Sequence, residues 1–336
     1  MRVTPSQDDR DLAAMCRSVL AAELGPDAQW KALTDAGVLG LPVDGSLGDL
    51  GVFCVEAGRA LAPRIVQGTL YTALAVDWLG VPAWLPRLTS GEARGTSALF
   101  DPGDASDVTP RLQSRRDGSR WRVSGVLDIV ADAEAADVIV ATTDAGVVAV
   151  DTGANGVTVE PTPLMGGFAA CTVRFDDVKV DDPVAADPDQ LRRFANAVVA
   201  LDCLDLVGVG DAVIERTVSY TTMREQFGRP IASFQAAQHL VADMHIALAA
   251  ARLAAHSAVF WIGRGRTATR EVAVARMRAA EVKKITLDAH QLHGGMGYVV
   301  DTGLHLYSER ARVLSTLGGG ADIAADWLAD EMTWAQ

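Results

Sequence analysis

Between Val272 and Leu292 the apolar residues Val272, Ala275, Ala279, Val282, Ile285, Ala289 and Leu292 recur at intervals of three and four. That spacing places them on one face of a helix, and a face of that length must be covered by other helices. The stripe lies in a helical stretch from Pro188 to the end, broken at 228–230, 263–265 and 294–297. Long antiparallel helices joined by short turns make a four-helix bundle, with shorter helices after Thr302. Upstream, from Thr96 to about Val184, the period falls to two. Residues 121–125, 138–142, 147–150 and 172–178 read there as strands of a small antiparallel barrel or sandwich. From Asp8 to about Gly95 the pattern is helical again, with breaks at Gly25-Pro26, 39–48, Pro63 and Pro82. Its apolar stripes are Leu12, Met15, Val19 and Leu20, then Val52, Val55, Ala57 and Leu61. The expected fold is α+β in three parts: a helical domain over 1–95, a middle antiparallel β domain over 96–185 and a C-terminal helical bundle over 186–336.

A net charge of −13 on 336 residues, with no basic stripe to offset it, argues against nucleic acid and anionic membrane surfaces as partners. The sequence shows no apolar run near ~18 residues, so no transmembrane helix is expected, and the polar N-terminus lacks a signal-peptide core. Cys16, Cys54, Cys171 and Cys203 are scattered in apolar contexts and read as reduced core residues of a cytoplasmic protein. The histidines show no ligand spacing, and no metal is expected. An anionic ligand would therefore need locally placed arginines.

Two junctions offer that chemistry. In 223–238, MREQFGRPIASFQAAQ, Arg224 and Phe227 are three residues apart and would share a helix face; Gly228 and Pro230 stop that helix, and Gln235 opens the next. In 291–298, QLHGGMGY, Gln291 precedes Gly294 and Gly295, which end a helix and let backbone amides approach a ligand. Arginine forks and free N–H groups are what a pyrophosphate requires. Alone, either motif is more often a helix stop or a C-cap.

Together, in this order and spacing, the two motifs resemble the C-terminal domain of acyl-CoA dehydrogenases, flavoproteins that desaturate acyl-CoA thioesters between Cα and Cβ. DPGDASD at 101–107, FDDVKV at 175–180 and ERAR at 309–312 support the resemblance, which runs from about residue 30 to the end. It implies the three-part fold above with a shortened N-terminal domain, FAD as cofactor, an acyl-CoA substrate and an electron-transfer flavoprotein or similar acceptor. The shortening would leave the acyl pocket more open or hand a wall to another chain.

The same resemblance locates what is missing. The family's base is a glutamate before Gly-Thr, where this chain reads Gly318-Gly319-Gly320, or one early in the first long C-terminal helix, where Val198 stands. The aromatic and hydroxyl residues that cradle the flavin ring are replaced by Ile129 and Ala131. In the family each flavin is shared across a dimer interface, and the half donated to the neighbour is intact here: Arg224, Phe227, Gln235, Gln291, Gly294 and Gly295. The resemblance thus implies a subunit that completes the FAD site of a second, base-carrying subunit in an α2β2 heterotetramer. Heteromeric dehydrogenases of actinobacterial steroid side-chain catabolism are similar. The competing readings are a self-sufficient enzyme with Asp202, Asp205 or Asp322 as a relocated base, a flavin monooxygenase of the same fold, and an assembly protein without flavin. For the three aspartates, solvated or capping roles are the expectation.

Overall fold

A computed structural model describes residues 4–22, 24–165 and 168–332. The first six helices are α1 (Gln7–Leu20), α2 (Pro26–Asp35), α3 (Leu41–Asp44), α4 (Leu47–Ala60), α5 (Arg64–Leu79) and α6 (Leu85–Thr89). Ser6 and Ser46 start α1 and α4 through capping boxes with Asp9 and Asp49. Pro26 stands at the first turn of α2 and Pro63 caps α5, as the proline breaks predict. The expected loop 39–48 contains α3. On α4 the buried stripe is Leu50, Phe53, Cys54 and Ala57, whereas Val52 and Val55 are only half-buried.

The middle of the chain forms two sheets. One has the order β1 (Gly95–Ala98), β4 (Val138–Thr143), β5 (Gly146–Asp151); the other has β2 (Gln113–Asp117), β3 (Arg120–Ala131), β7 (Ala169–Val180), β6 (Val157–Pro163). They share a core that includes Val123, Ile139, Val148, Val173 and Phe175. The expectation of purely antiparallel strands needs correcting, because β1 pairs parallel with β4. The 39 residues between these strands hold β2 and β3, a crossover long enough to return the chain in the same direction.

The C-terminal part is built on α7 (Pro188–Met223), 36 residues started by Asp187 and Pro188. It packs against α4 backbone to backbone: a Cβ on Gly208 would lie 1.9 Å from the Val55 carbonyl oxygen, and one on Gly58 would lie 2.0 Å from that of Asp205. Around α7 stand α8 (Gln235–Ile262), α9 (Thr269–Ala279), α10 (Val282–His293) and α11 (Leu304–Leu314), with α12 (Ala321–Glu331) against α9. The stripe from Val272 to Leu292 is buried throughout, but it spans two helices, since Ala280 and Glu281 form a turn between α9 and α10.

One expectation fails on composition: α8 is long and apolar enough to cross a membrane by those measures. Met244, Leu248, Ala251, Ala255 and Ile262 are buried where α8 packs on α7 and α9, but only 33% of its most apolar window is covered within the chain. All four cysteines are free and buried, and burial pushes the thiols of Cys16, Cys54 and Cys203 up to about 12.

Candidate functional site

The residues singled out in the sequence fall in two places. Ile129, Ala131, Val198 and Gly318 line one cavity of about 100 Å3, closed by side chains of α5 and α7. Ile129 reaches it through a β-bulge: pairing of β3 with β7 shifts between Leu127 and Val130, and Ile129 sits at φ 56°, an uncommon conformation for a β-branched residue. Gly318 lies in the loop between α11 and α12 at φ 70°. That loop is held from two sides. Gly318 N–H donates to Pro102 (2.7 Å), and its carbonyl accepts from Ala105 N–H (2.9 Å), both in the 101–107 turn. The fully buried Arg276 donates to the carbonyls of Leu314 (2.6 Å), Gly319 (2.7 Å) and Leu317. The turn itself is organised by Asp101 and Asp104, and Asp104 also accepts from Trp327 Nε1 at 2.9 Å.

Ionic side chains line the cavity beside the apolar ones. Asp202 Oδ1 accepts from Arg64 Nη1 and from the Tyr71 hydroxyl, each at 3.0 Å. Asp205, fully buried, is gripped by Arg310 (2.9 and 2.5 Å) and by Gln67 Nε2 (2.5 Å). Burial pulls the Asp205 carboxyl upward, but Arg310, Arg64 and Gln67 outweigh it and hold the group below its usual range. Asp202 and Asp205 are therefore neither solvated nor capping residues, because α7 runs through the centre of the molecule. Asp322 does match expectation, exposed in the first turn of α12.

Asp132, one position beyond Ala131, carried no signal in the sequence. It lines this cavity and a neighbouring one of about 360 Å3, and its Oδ2, like Arg64 Nε, is buried without a hydrogen-bond partner among the described residues. Burial raises the Asp132 carboxyl to about 6, with Arg64 and Arg310 opposing.

The second place is an exposed edge of the bundle. Arg224 and Phe227 do not share a helix face: α7 ends at Met223, Arg224 is extended, and a hairpin of β8 (Glu225–Gln226) and β9 (Arg229–Pro230) follows. Phe227 and Gly228 form its tip, both at positive φ (55° and 77°). A left-handed backbone costs a non-glycine residue roughly 1–2 kcal/mol. Phe227 accepts it while 93% exposed, meeting only the edge of Phe234 at 6.2 Å. Gln235 opens α8 as expected. Gln291 is exposed on α10, and a Cβ on Gly294 or Gly295 would meet nothing within 4 Å.

The two junctions are joined. Tyr220, one turn before Arg224, stacks on His293 at 4.4 Å, and its hydroxyl donates to the His293 carbonyl (3.4 Å) just ahead of Gly294. Burial lowers the His293 pKa, which keeps the ring neutral in the stack. His290 fastens the 294–298 turn: Nδ1 lies 2.7 Å from the Gly297 carbonyl and Nε2 lies 2.7 Å from Ser308 Oγ. A carbonyl only accepts, so Nδ1 donates to Gly297. Arg224 forms no ion pair or side-chain hydrogen bond among the described residues.

These parts suit a flavin dinucleotide unequally. The exposed edge offers a guanidinium without a partner among the described residues, an aromatic face and a glycine turn with open space around it, although the Gly294 N–H donates to the Gln291 carbonyl. A guanidinium and a ring fit phosphate and adenosine. The inner cavity, about 100 Å3, falls below the ~300 Å3 at which ligand pockets begin, and does not fit a flavin ring.

Comparison with known proteins is consistent with the fold and the junctions: the family model for the acyl-CoA dehydrogenase C-terminal domain matches residues 198–333. The chain belongs to the acyl-CoA dehydrogenase family. It is 31% identical to acyl-CoA dehydrogenase FadE28 of Mycobacterium tuberculosis, over 95% of this chain and 96% of that protein. Acyl-CoA dehydrogenase IpdE2 of Mycolicibacterium smegmatis is 28% identical, covering 90% and 88%. Among solved structures, the Tcur3481-Tcur3483 steroid ACAD G363A variant superposes with a TM-score of 0.85 at 29% identity, covering 96% and 97% of the chains. The ChsE4-ChsE5 complex from Mycobacterium tuberculosis gives 0.86 at 25%, covering both chains fully.

Proposed function

We propose that this chain is the base-lacking subunit of a heteromeric, FAD-dependent acyl-CoA dehydrogenase. It lends the trans half of a flavin site to a second subunit that carries the base, in an α2β2 cytoplasmic tetramer served by an electron-transfer flavoprotein. The observation that carries this reading is the contrast between the two places. The chain's own cleft has Val198 and Gly318 at the base positions and too little room for a flavin ring, while Phe227 and Arg224 stand exposed and unengaged. An exposed aromatic on a strained backbone is what a surface prepared for a partner would retain. Flavin, when bound, supplies the hydride acceptor for α,β-desaturation. This chain's residues would hold phosphate and adenosine: Arg224 by charge, Phe227 by its ring, Gln235 and Gln291 by their amides, and the Gly294-Gly295 turn by letting a ligand approach its backbone closely.

The similarity to steroid dehydrogenase complexes supports a steroid side-chain thioester as substrate. The test is Arg224→Ala in the co-purified complex. A charge-assisted hydrogen bond is worth roughly 1.5–3 kcal/mol, so FAD retention should fall about ten- to a hundredfold. Full FAD content and normal turnover would reduce the motif to a helix junction.

A second reading keeps Asp202 as a base displaced one turn from Val198, since it lines the same cavity. Against it stand the engagement of Oδ1 by Arg64 and Tyr71 and the lack of room for ring and thioester together. Asp202→Asn in the complex separates the two: unchanged kcat supports the half-site reading, and loss of turnover at unchanged flavin content supports the relocated base.

A further inference from the structure

A cavity of about 760 Å3, sharing no residue with the cleft described above, lies between α1, α4, α5, α7 and α8. Its volume falls within the ~300–1,000 Å3 typical of small-molecule sites. The walls mix apolar side chains, among them Leu50 and Val55 from α4, Leu74 from α5 and Val259 from α8, with charged ones such as Arg10, Glu56 and Asp77. At one end stands Arg193 of α7, held in place rather than free to swing. Its guanidinium lies over the Trp78 ring at 4.0 Å, and Nη2 donates to the Ile262 carbonyl at 3.1 Å. Arg193 nevertheless forms no ion pair among the described residues, and its Nε is buried without a hydrogen-bond partner. A cation without a counter-charge beside a half-buried cavity is costly unless an anion supplies one.

Arg264, two residues beyond Ile262, also lines the cavity without an ion pair among the described residues. The carboxylates of the lining are mostly engaged elsewhere. Glu56 is bound by Arg17 at 2.7 Å, and Asp9 accepts from Ser6 N–H at 2.7 Å in the cap of α1. Asp77 is exposed. Arg252 is paired with Asp211 at 2.7 Å, and burial next to Arg252 keeps His256 neutral.

We infer that this cavity is a second binding site, for an amphipathic monocarboxylate: an apolar body along α4, α5 and α8 with its carboxylate on Arg193. Flavin and the acyl-CoA cleft play no part in it, so the inference stands or falls separately from the half-site reading.

The test is calorimetric titration of decanoate into the purified full-length chain, alone or in its complex, with Trp78 fluorescence as a second readout. Decanol and decanoyl-CoA serve as comparison ligands. Saturable one-to-one binding of decanoate is expected, at least about tenfold tighter than decanol, since a charge-assisted hydrogen bond separates them. Arg193→Gln should erase that preference. Val55→Trp should fill the cavity and abolish binding at an unchanged unfolding temperature, and it decides the matter if the arginine variant does not fold. Decanoyl-CoA binding to the isolated chain more tightly than decanoate, and lost in Val55→Trp, would assign the cavity to a thioester and overturn the inference. So would absence of saturable decanoate binding, equal affinity for decanol, or retention of binding in Val55→Trp.

Discussion

Replacing Gly318 with glutamate puts a carboxylate at the position where the family resemblance leads one to expect a base, and the structure says why that alone should not produce turnover. Gly318 adopts φ 70°, which costs a non-glycine residue roughly 1–2 kcal/mol. A Cβ there would lie 3.3 Å from Val199 Cγ2, 3.4 Å from Ala105 Cβ and 3.6 Å from a Phe100 ring carbon. The loop cannot back away, because its peptide groups are bonded to Pro102 and Ala105 and its neighbours to Arg276. The new carboxyl would enter a cavity of about 100 Å3 beside Asp202, and burying it without a partner adds about 1–3 kcal/mol. The sum is about 2–5 kcal/mol. At about 2 °C per kcal/mol for a long chain, the unfolding temperature should fall by roughly 4–10 °C. Calorimetry on the purified chain measures that fall, and anaerobic titration with acyl-CoA after FAD loading measures turnover. Flavin bleaching by the variant without a partner, at undiminished thermal stability, would refute the reasoning.

Arg310→Met should destabilise the chain by about 3–5 kcal/mol, since it strips Asp205 of its principal counter-charge. The depressed Asp205 pKa contributes stability at neutral pH that is lost as pH falls through the carboxylate range, so denaturation of the variant at pH 7 and in acid should show the deficit narrowing in acid. Asp132 has the opposite sign. Its carboxyl, raised to about 6, binds a proton more tightly folded than unfolded, so its cost grows from about pH 4 to pH 6 and is constant above. Asp132→Asn should therefore be more stable than the native chain by about 1–3 kcal/mol at pH 7.5 and equal to it near pH 4. A pH-independent difference would remove Asp132 as the titrating group.

Periodicity made the three-part order readable, because a 3.6-residue stripe and a two-residue alternation leave different marks along a chain. The junction motifs were readable too, through Gly228, Pro230 and the Gly294-Gly295 pair. Geometry that depends on partners distant in sequence was not. Nothing around Arg224 announced that α7 would end before it and that Phe227 would sit at a hairpin tip. Asp202 and Asp205 looked like ordinary helix-face acids, since their cations, Arg64 and Arg310, lie more than a hundred residues away. Arg276 and His290 work through backbone carbonyls, which carry no residue-specific mark. Asp132 is set apart by burial, by a positive φ and by an Oδ2 that has no partner among the described residues, none of which its sequence neighbours announce.

The central claim is that this chain completes a flavin site without owning one, and flavin stoichiometry tests it most directly. The chain should be purified alone and with its base-carrying partner, and FAD counted per copy of each. The half-site account expects no stoichiometric FAD on the isolated chain and one FAD per pair of unlike subunits in the complex, lost with Arg224→Ala. A yellow homo-oligomer of this chain, holding one FAD per copy and bleached by an acyl-CoA, would contradict it.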